Sequence, residues 1–502
     1  MNFAYNRQEQ LPPLAWLAVF IKDSETVEVS CGDAVVCTEE WFAAGVWDGD
    51  LKKGGFDTCT TSCCTGFKIC NLEWGGVKLV TPTHLQESVF SIKVDDKLYM
   101  SNSMTFAMVA SGSELLTAYK QYVSDMGSVM YGLKSDKMVK HSPLADGREL
   151  RFLRCCIAVI DKSLDITEHI RKSGLSFKDF ADYKQKVRKV LADIRVNATD
   201  AFRRKPYGMI GTISRGYDAP SACALAATVG CDEVFTFCDR PDDDGSGIAE
   251  ILGFKQIYRV DSKQYIKNTK YLEAEALASG EGGATFIAFE DLFRNKILII
   301  GNRGDSVYER LHANANADLD FHVGNTLSQA SLTIYENMLK NNSITVSVPL
   351  IGGDCWPDMQ RISRSEEMSP FSVGDHYDRP IARRLLEEAG VGRGMFGRQK
   401  FGAGISYSLD SFSRIKSKMS SRSFESLSEF RTGYPGNRWN DLKYSMIFYW
   451  TNRSVYINYI LGRIHIRKRI KTATQQVGML ANPHSTMMLH WGVSMVRNRY
   501  KI

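Results

Sequence analysis

Between Tyr207 and Asp239 the chain reads YGMIGTI, SRGYDAP, SACALAATVG and CDEVFTFCD, and this succession restricts what it can fold into. An apolar run, Met209 to Ile213, enters a turn containing Gly216. An Ala-rich helix led by Pro220 leaves the turn, and a second apolar run, Val234 to Phe237, follows. The pattern predicts strand, loop, helix, strand. A tight turn between a parallel strand and a helix N-terminus presents backbone N–H groups and the positive end of the helix dipole, so a phosphate is its natural guest. Gly216 would serve an ordinary βα turn equally well, and spacing alone does not separate the two readings.

Length and composition set the bounds around this stretch. A chain of 502 residues exceeds one ordinary core, so two domains plus additions are expected. With 44% hydrophobic and 24% charged residues it has a globular composition. A net charge of +6 favours anionic small substrates weakly and does not call for nucleic acid. The apolar run from Leu14 to Ile21 has an acidic flank and no small-residue cleavage site, which argues against a signal peptide. No apolar run approaches the roughly 20 residues that span a bilayer, and a cytoplasmic protein is expected. Six of the twelve cysteines (Cys31, Cys37, Cys59, Cys63, Cys64 and Cys70) crowd one region without forming paired CxxC knuckles or lying near a His. Reduced, buried thiols are the expectation for them.

Residues 1 to about 150 read as short strands (WLAVFIK, VEVSCG, AVVCT, FKICNLEW, VKLVT) with a hairpin turning at Asp95-Asp96, and suggest stacked antiparallel sheets. The stretch TFAMVASGSELLTAYKQYV that follows the hairpin reads as one helix. Beyond Asp239, an acidic turn, the helix GIAEILGF and the strand QIYRV form a second βαβ unit. The run Asp242-Asp243-Asp244 reads as a solvated helix start. In KILIIGNRGDSVYERL a third strand, Ile297 to Ile300, enters a Gly-flanked loop holding Asp305.

Ser214-Arg215-Gly216-Tyr217-Asp218-Ala219 resembles the SGGxDS pyrophosphate loop of the ATP pyrophosphatase superfamily, with Arg215 replacing the first Gly and Ala219 the final Ser. Arg215 either adds a phosphate ligand or crowds the loop. The order of parts, a β-rich N-terminal region, the strand RFLRCCIAVID, a long helix, then this loop, resembles asparagine synthetase and its β-lactam synthetase branch. The resemblance implies an α/β protein. Residues 1–175 would be a degenerate glutaminase-like domain of stacked antiparallel sheets. Residues 176–430 would be a parallel-sheet ATP-binding synthetase domain of the adenine nucleotide α-hydrolase-like kind, and 431–502 a helical basic extension. It places the nucleotide at Ser214, Arg215, Gly216, Tyr217, Asp218, Gly301 and the backbone at Phe237. Asp305 falls where the family's GxGxDE motif carries an Asp. Carboxylates at the ends of neighbouring parallel strands can hold a hard cation against a triphosphate, so Asp218 and Asp305 are the magnesium candidates.

Further positions follow from the same resemblance. Asn302 stands where asparagine synthetases have a Glu that assists amide formation; the β-lactam branch recruits a Glu from a later segment, and Glu336 is the equivalent here. SRSEEMSPF resembles the passage that closes over the acceptor, with Met368 in place of an Arg, and GRQKFGAGISYS resembles the RQK passage whose Lys contacts the phosphates, here Lys400. An ammonium there would stabilise charge developing at phosphorus or carbonyl. The family's glutaminase needs a cysteine at position 2, and this chain has Asn2, whose amide cannot form a thioester. The implied activity is an ATP-dependent ligase, with ATP and magnesium as cofactors, that adenylates a carboxylate and transfers the acyl group to an amine without hydrolysing glutamine. The alternative is a non-catalytic member that keeps the fold for binding or scaffolding. Small-molecule carboxylates and amines are the expected partners, with no nucleic acid and with a homodimer left open. The tail after residue 431, ending RNRYKI, reads as a buried helix with a solvated basic end rather than a helix lying on a membrane.

Overall fold

The protein is described from a computed structural model covering residues 1–70, 76–267, 273–280, 286–310, 335–374, 377–397, 407, 412–435 and 483–502, with a few single positions between 446 and 457. Two sheets form the N-terminal half. One has seven strands, from Asn2–Arg7 at one edge through Thr26–Cys31, Trp16–Ile21, Lys97–Ser101, Val89–Val94 and Glu149–Leu153 to His141–Pro143. The other has six, from Ile166–Ile170 to Val36–Cys37. All their pairings are antiparallel except the first, Asn2–Arg7 on Thr26–Cys31. The hairpin turns at Asp95 and Asp96 as expected, with Asp95 at φ 50°. Alternation along the strands puts large rings on the inner faces. Trp16 and Phe20 from the first sheet meet Phe42 and Phe67 from the second, with centroids 5.3–5.6 Å apart.

After the hairpin α1 (Met104–Ser111) forms, and a separate short helix begins at Tyr122 (Tyr122–Gly127), in place of one long helix. Ser103 caps the start of α1, and Gly112 in the left-handed conformation ends it, with Ser113 N–H returning to the Met108 carbonyl.

The long amphipathic α2 (Phe180–Thr199) leads into the parallel sheet. Its strands are β1 (Gly208–Ile213), β2 (Glu233–Phe237), β3 (Gln256–Val260), β4 (Lys296–Ile300) and β5 (Ile344–Ser347), in the order β3-β2-β1-β4-β5. Every pairing is parallel. The predicted helix after β1 is α3 (Asp218–Ala227), which begins two residues before Pro220, a position the first turn tolerates. The chain therefore winds outward from β1 to one side through β2 and β3, then returns to the other side of β1 with β4. The two loops leaving β1 and β4 diverge, and a crevice opens where the winding reverses.

One apolar core runs from Leu11 and Trp16 through Phe180, Leu191 and Ile213 to Phe396 and Tyr500, so the antiparallel and parallel halves share an interior. No helix among the described residues is long and apolar enough to cross a membrane.

Candidate functional site

Both loops singled out in the sequence lie at this crevice. Residues 214–217 leave β1, and residues 301–303 leave β4, its hydrogen-bonded neighbour. The loops approach one another closely. A Cβ on Gly301 would overlap the backbone of Asp218, and one on Gly304 would overlap its carboxylate, so both glycines are required by contact rather than by turn geometry. A third segment closes the same corner. Gly245 N–H donates to Thr236 Oγ1 at 2.9 Å, and a Cβ there would stand 2.8 Å from Ser214 N.

Within the first loop, Gly216 N–H donates to Ser214 Oγ at 3.3 Å. Arg215 turns sideways. Its Nε donates to the Met395 carbonyl at 3.2 Å, and its own carbonyl accepts from Gly397 N–H at 2.8 Å. It neither fills the loop nor points from it, but ties the loop to the segment that immediately precedes Lys400 in sequence. Lys400 itself lies outside the described residues. Tyr217 is buried, its ring 4.9 Å from that of Tyr377, and its hydroxyl accepts from Arg383.

The centre of the site is a charged group absent from the sequence reading. α4 (Pro380–Glu388) is preceded by Arg379, whose Nη1 donates to both carboxylate oxygens of Asp218. The Arg379 side chain is 2% exposed, and its guanidinium stacks 4.7 Å from the Tyr377 ring centroid. Burial works against its charge, but Asp218, Tyr377 and Asp305 together outweigh burial and raise its pKa. Asp218 is thus held by a guanidinium, and Asp305, in the neighbouring loop, adds to the field that keeps Arg379 charged. Burial, first, and then the neighbouring carboxylates also push the Tyr377 hydroxyl up to about 12, against a lowering by Arg379. Arg379 Nε and Arg383 Nε, both buried, and Asn302 Nδ2 have no hydrogen-bond partner among the described residues. The Asn302 carbonyl accepts from Ser347 Oγ at 2.7 Å.

The residues as arranged do not fit a magnesium ion at Asp218. Both oxygens that would ligate it are taken by a buried cation with no slack at Gly304, and no group of three or more His, Cys, Asp or Glu able to hold a metal occurs among the described residues. Arg379 and Arg383 could have been suspected from sequence only through their spacing. Four residues apart in DRPIARR, they fall on one face of a helix started by Pro380.

Phe237, expected to contribute its backbone alone, ends β2, and its ring packs toward Phe286 and Phe289 beside a second apolar cluster. One predicted position sits differently from expectation. Glu336 is not in the crevice set. It is 1% exposed, accepting from Ser103 Oγ at 2.6 Å and from the Tyr500 hydroxyl, and burial raises its pKa. A carboxylate so enclosed is spent on joining α1 to the chain end, which removes it from the candidate bases. The acidic run after β2 behaves as a helix start: Asp244 accepts from Ser246 N–H at 3.0 Å and pairs with Arg259 at 2.5 Å.

No protein-family model matches the chain, and no curated protein does.

Proposed function

We propose that the protein is an ATP-dependent, amide-forming ligase resembling asparagine synthetase, which adenylates a carboxylate and passes the acyl group to an amine without hydrolysing glutamine. The observation that carries this reading is the convergence of the 214–218 and 301–305 loops, with the N-terminus of α3, at the reversal point of a parallel sheet, where α/β proteins bind their ligands. Ser214, Gly216 and Gly301 supply close-approaching backbone for the phosphates, and the backbone at Phe237 lies along the adenine side. Arg379, Arg383 and, beyond the described residues, Lys400 supply positive charge. In the first step a carboxylate oxygen attacks the α-phosphorus, the α–β anhydride bond breaks and pyrophosphate leaves. In the second an amine nitrogen attacks the acyl carbon, AMP leaves, and the amine proton passes to a base. Glu336 is not that base, and a magnesium ion between Asp218 and Asp305 is not part of the reading, because Arg379 holds Asp218.

The reading leaves glutamine out as the nitrogen source because position 2 carries no thiol. Asn2 lies in an edge strand, with its Oδ1 accepting from Thr26 Oγ1 at 2.9 Å, and offers no nucleophile.

One observation favours the second reading, a non-catalytic binding protein: both carboxylates expected to do chemistry, Asp218 and Glu336, are committed to internal partners. Pyrophosphate release from ATP, measured over a panel of carboxylates and amines, separates the two. Release that depends on a carboxylate establishes the ligase. ATP binding without release from any member, or no ATP binding at all, removes the ligase and favours the non-catalytic protein.

A further inference from the structure

The disagreement between the expected magnesium and the observed guanidinium has a direct chemical meaning. Asp218 and Asp305 stand in the loops that leave adjacent strands, as a two-carboxylate cation site requires, and the carboxylate of Asp218 already holds a cation: the side chain of Arg379. Three features make this more than a surface ion pair. The guanidinium is almost wholly buried, it is clamped on one face by Tyr377, and the carboxylate it pairs with cannot back away because Gly301 and Gly304 already touch Asp218 at glycine distance. Next to it, Arg383 is held by the Tyr217 hydroxyl, and the Nε atoms of both arginines have no hydrogen-bond partner among the described residues. A buried N–H without a partner is costly, and a phosphate oxygen is the strongest partner a guanidinium N–H can acquire.

We infer that Arg379 takes the place of the divalent cation, so that the crevice receives the phosphate chain of its ligand without a metal ion. This rests on the nucleotide reading above. A guanidinium carries one fixed positive charge in place of two, and Arg383, four residues on and itself 3.7 Å from Glu387 Oε1, supplies the second. Unlike a metal ion, neither dissociates, and Asp218 becomes a residue that positions Arg379 rather than a ligand.

The test is calorimetric titration of ATP into the whole protein, once with excess magnesium and once with EDTA. For the native protein the affinity in EDTA is expected to equal that in magnesium within about threefold. Arg379→Met removes the cation from the Asp218 carboxylate, so binding should weaken at least about tenfold in EDTA and recover with magnesium. Should that variant fail to fold because a buried carboxylate is left unpaired, the double variant R379M/D218N removes both charges together. It is expected to fold and to lose at least about tenfold in affinity in both media. Native binding that needs magnesium overturns the inference and leaves the nucleotide reading standing. Magnesium-independent binding that survives Arg379→Met, or the double variant, also overturns it, because some other group is then the cation. Absence of ATP binding in either medium overturns the nucleotide reading, and the inference falls with it.

Discussion

At Gly301 a single hydrogen decides whether two loops can meet. Any Cβ there would run into the Asp218 backbone, which cannot move aside as a side-chain tip can. Gly301→Ala is therefore expected to destabilise by about 1–3 kcal/mol through overpacking. Gly433→Ala, with nothing within 4 Å and no positive φ, should change stability by no more than about 0.5 kcal/mol. Thermal unfolding of the two variants side by side checks this, and equal midpoints would show that the loops yield freely. A second residue-scale expectation concerns His84, whose pKa burial, chiefly, and Arg171 lower to about 3. Its Nδ1 accepts from Gln86 N–H at 3.3 Å, so the buried ring is neutral in the fold. The unfolded chain takes up a proton at His84 near pH 6.5 and the folded one does not until about pH 3. Stability from this group is thus complete above pH 6.5 and is lost as pH falls toward 3, at up to about 1.4 kcal/mol per unit. His84→Gln should flatten the acid side of the stability profile, and an unchanged slope between pH 6.5 and 4.5 would assign that loss elsewhere. What was legible at this scale was local chemistry. Ser214, Gly216, Asp218, Gly301 and Asp305 announce themselves within short motifs beside apolar runs. Arg379 does not, because its partner lies 161 residues away and nothing in DRPIARR records that distance.

Elements were legible where period and punctuation agree. β1, α3, β2 and β4 fall where the apolar runs and the Gly and Pro residues place them, whereas α1 stops eight residues in because Gly112 takes a left-handed cap that an apolar periodicity does not reveal. The aromatic helix and basic run read between residues 444 and 474 lie almost wholly outside the described residues. RNRYKI, which closes the chain, is basic, yet after α5 (Pro483–Val496) it folds inward. Arg499 pairs with the buried carboxylate of Glu275, and the Tyr500 ring stacks on Phe106 of α1 at 4.8 Å. The Tyr500 hydroxyl donates to Glu336, which also accepts from Ser103, the cap of α1. Charge and polarity invite solvent only until buried acids are available as partners, and Glu275 and Glu336 are more than 150 residues earlier in the chain. Tyr500→Phe keeps the stacked ring and removes only the donor, so about 1–3 kcal/mol of stability should be lost, the cost of leaving a buried acceptor short of a partner. Chemical denaturation measures it, and an unmoved midpoint would mean that Ser103 alone satisfies Glu336.

Over the whole molecule, the sequence pattern implies two classes of sheet, antiparallel then parallel, and both are present. Composition does not say how far they depend on each other. The N-terminal sheets have no nucleophile at Asn2, which invites the view that they are a detachable relic. The packing argues otherwise. Leu14 N–H donates to the Leu339 carbonyl at 3.2 Å, Asn197 Nδ2 to the Gly49 carbonyl at 2.8 Å, and Arg203 Nη2 to the Gly45 carbonyl at 2.9 Å. Each is a buried or half-buried polar bond between the halves, and the same apolar core continues through them. Separation would expose that core face and leave these donors unmatched, a cost that no short linker can spread. Residues 176–502 expressed alone are therefore expected to be insoluble or to lack a cooperative melt, while the intact chain unfolds in one transition at which ring-environment and backbone signals change together. A soluble 176–502 fragment with a sharp melt of its own would make the N-terminal sheets an independent domain. Failure of the fragment would assign them a structural duty: holding α2 and the helix Tyr335–Asn341 against the sheet, and through β5 the Asn302 loop at the crevice.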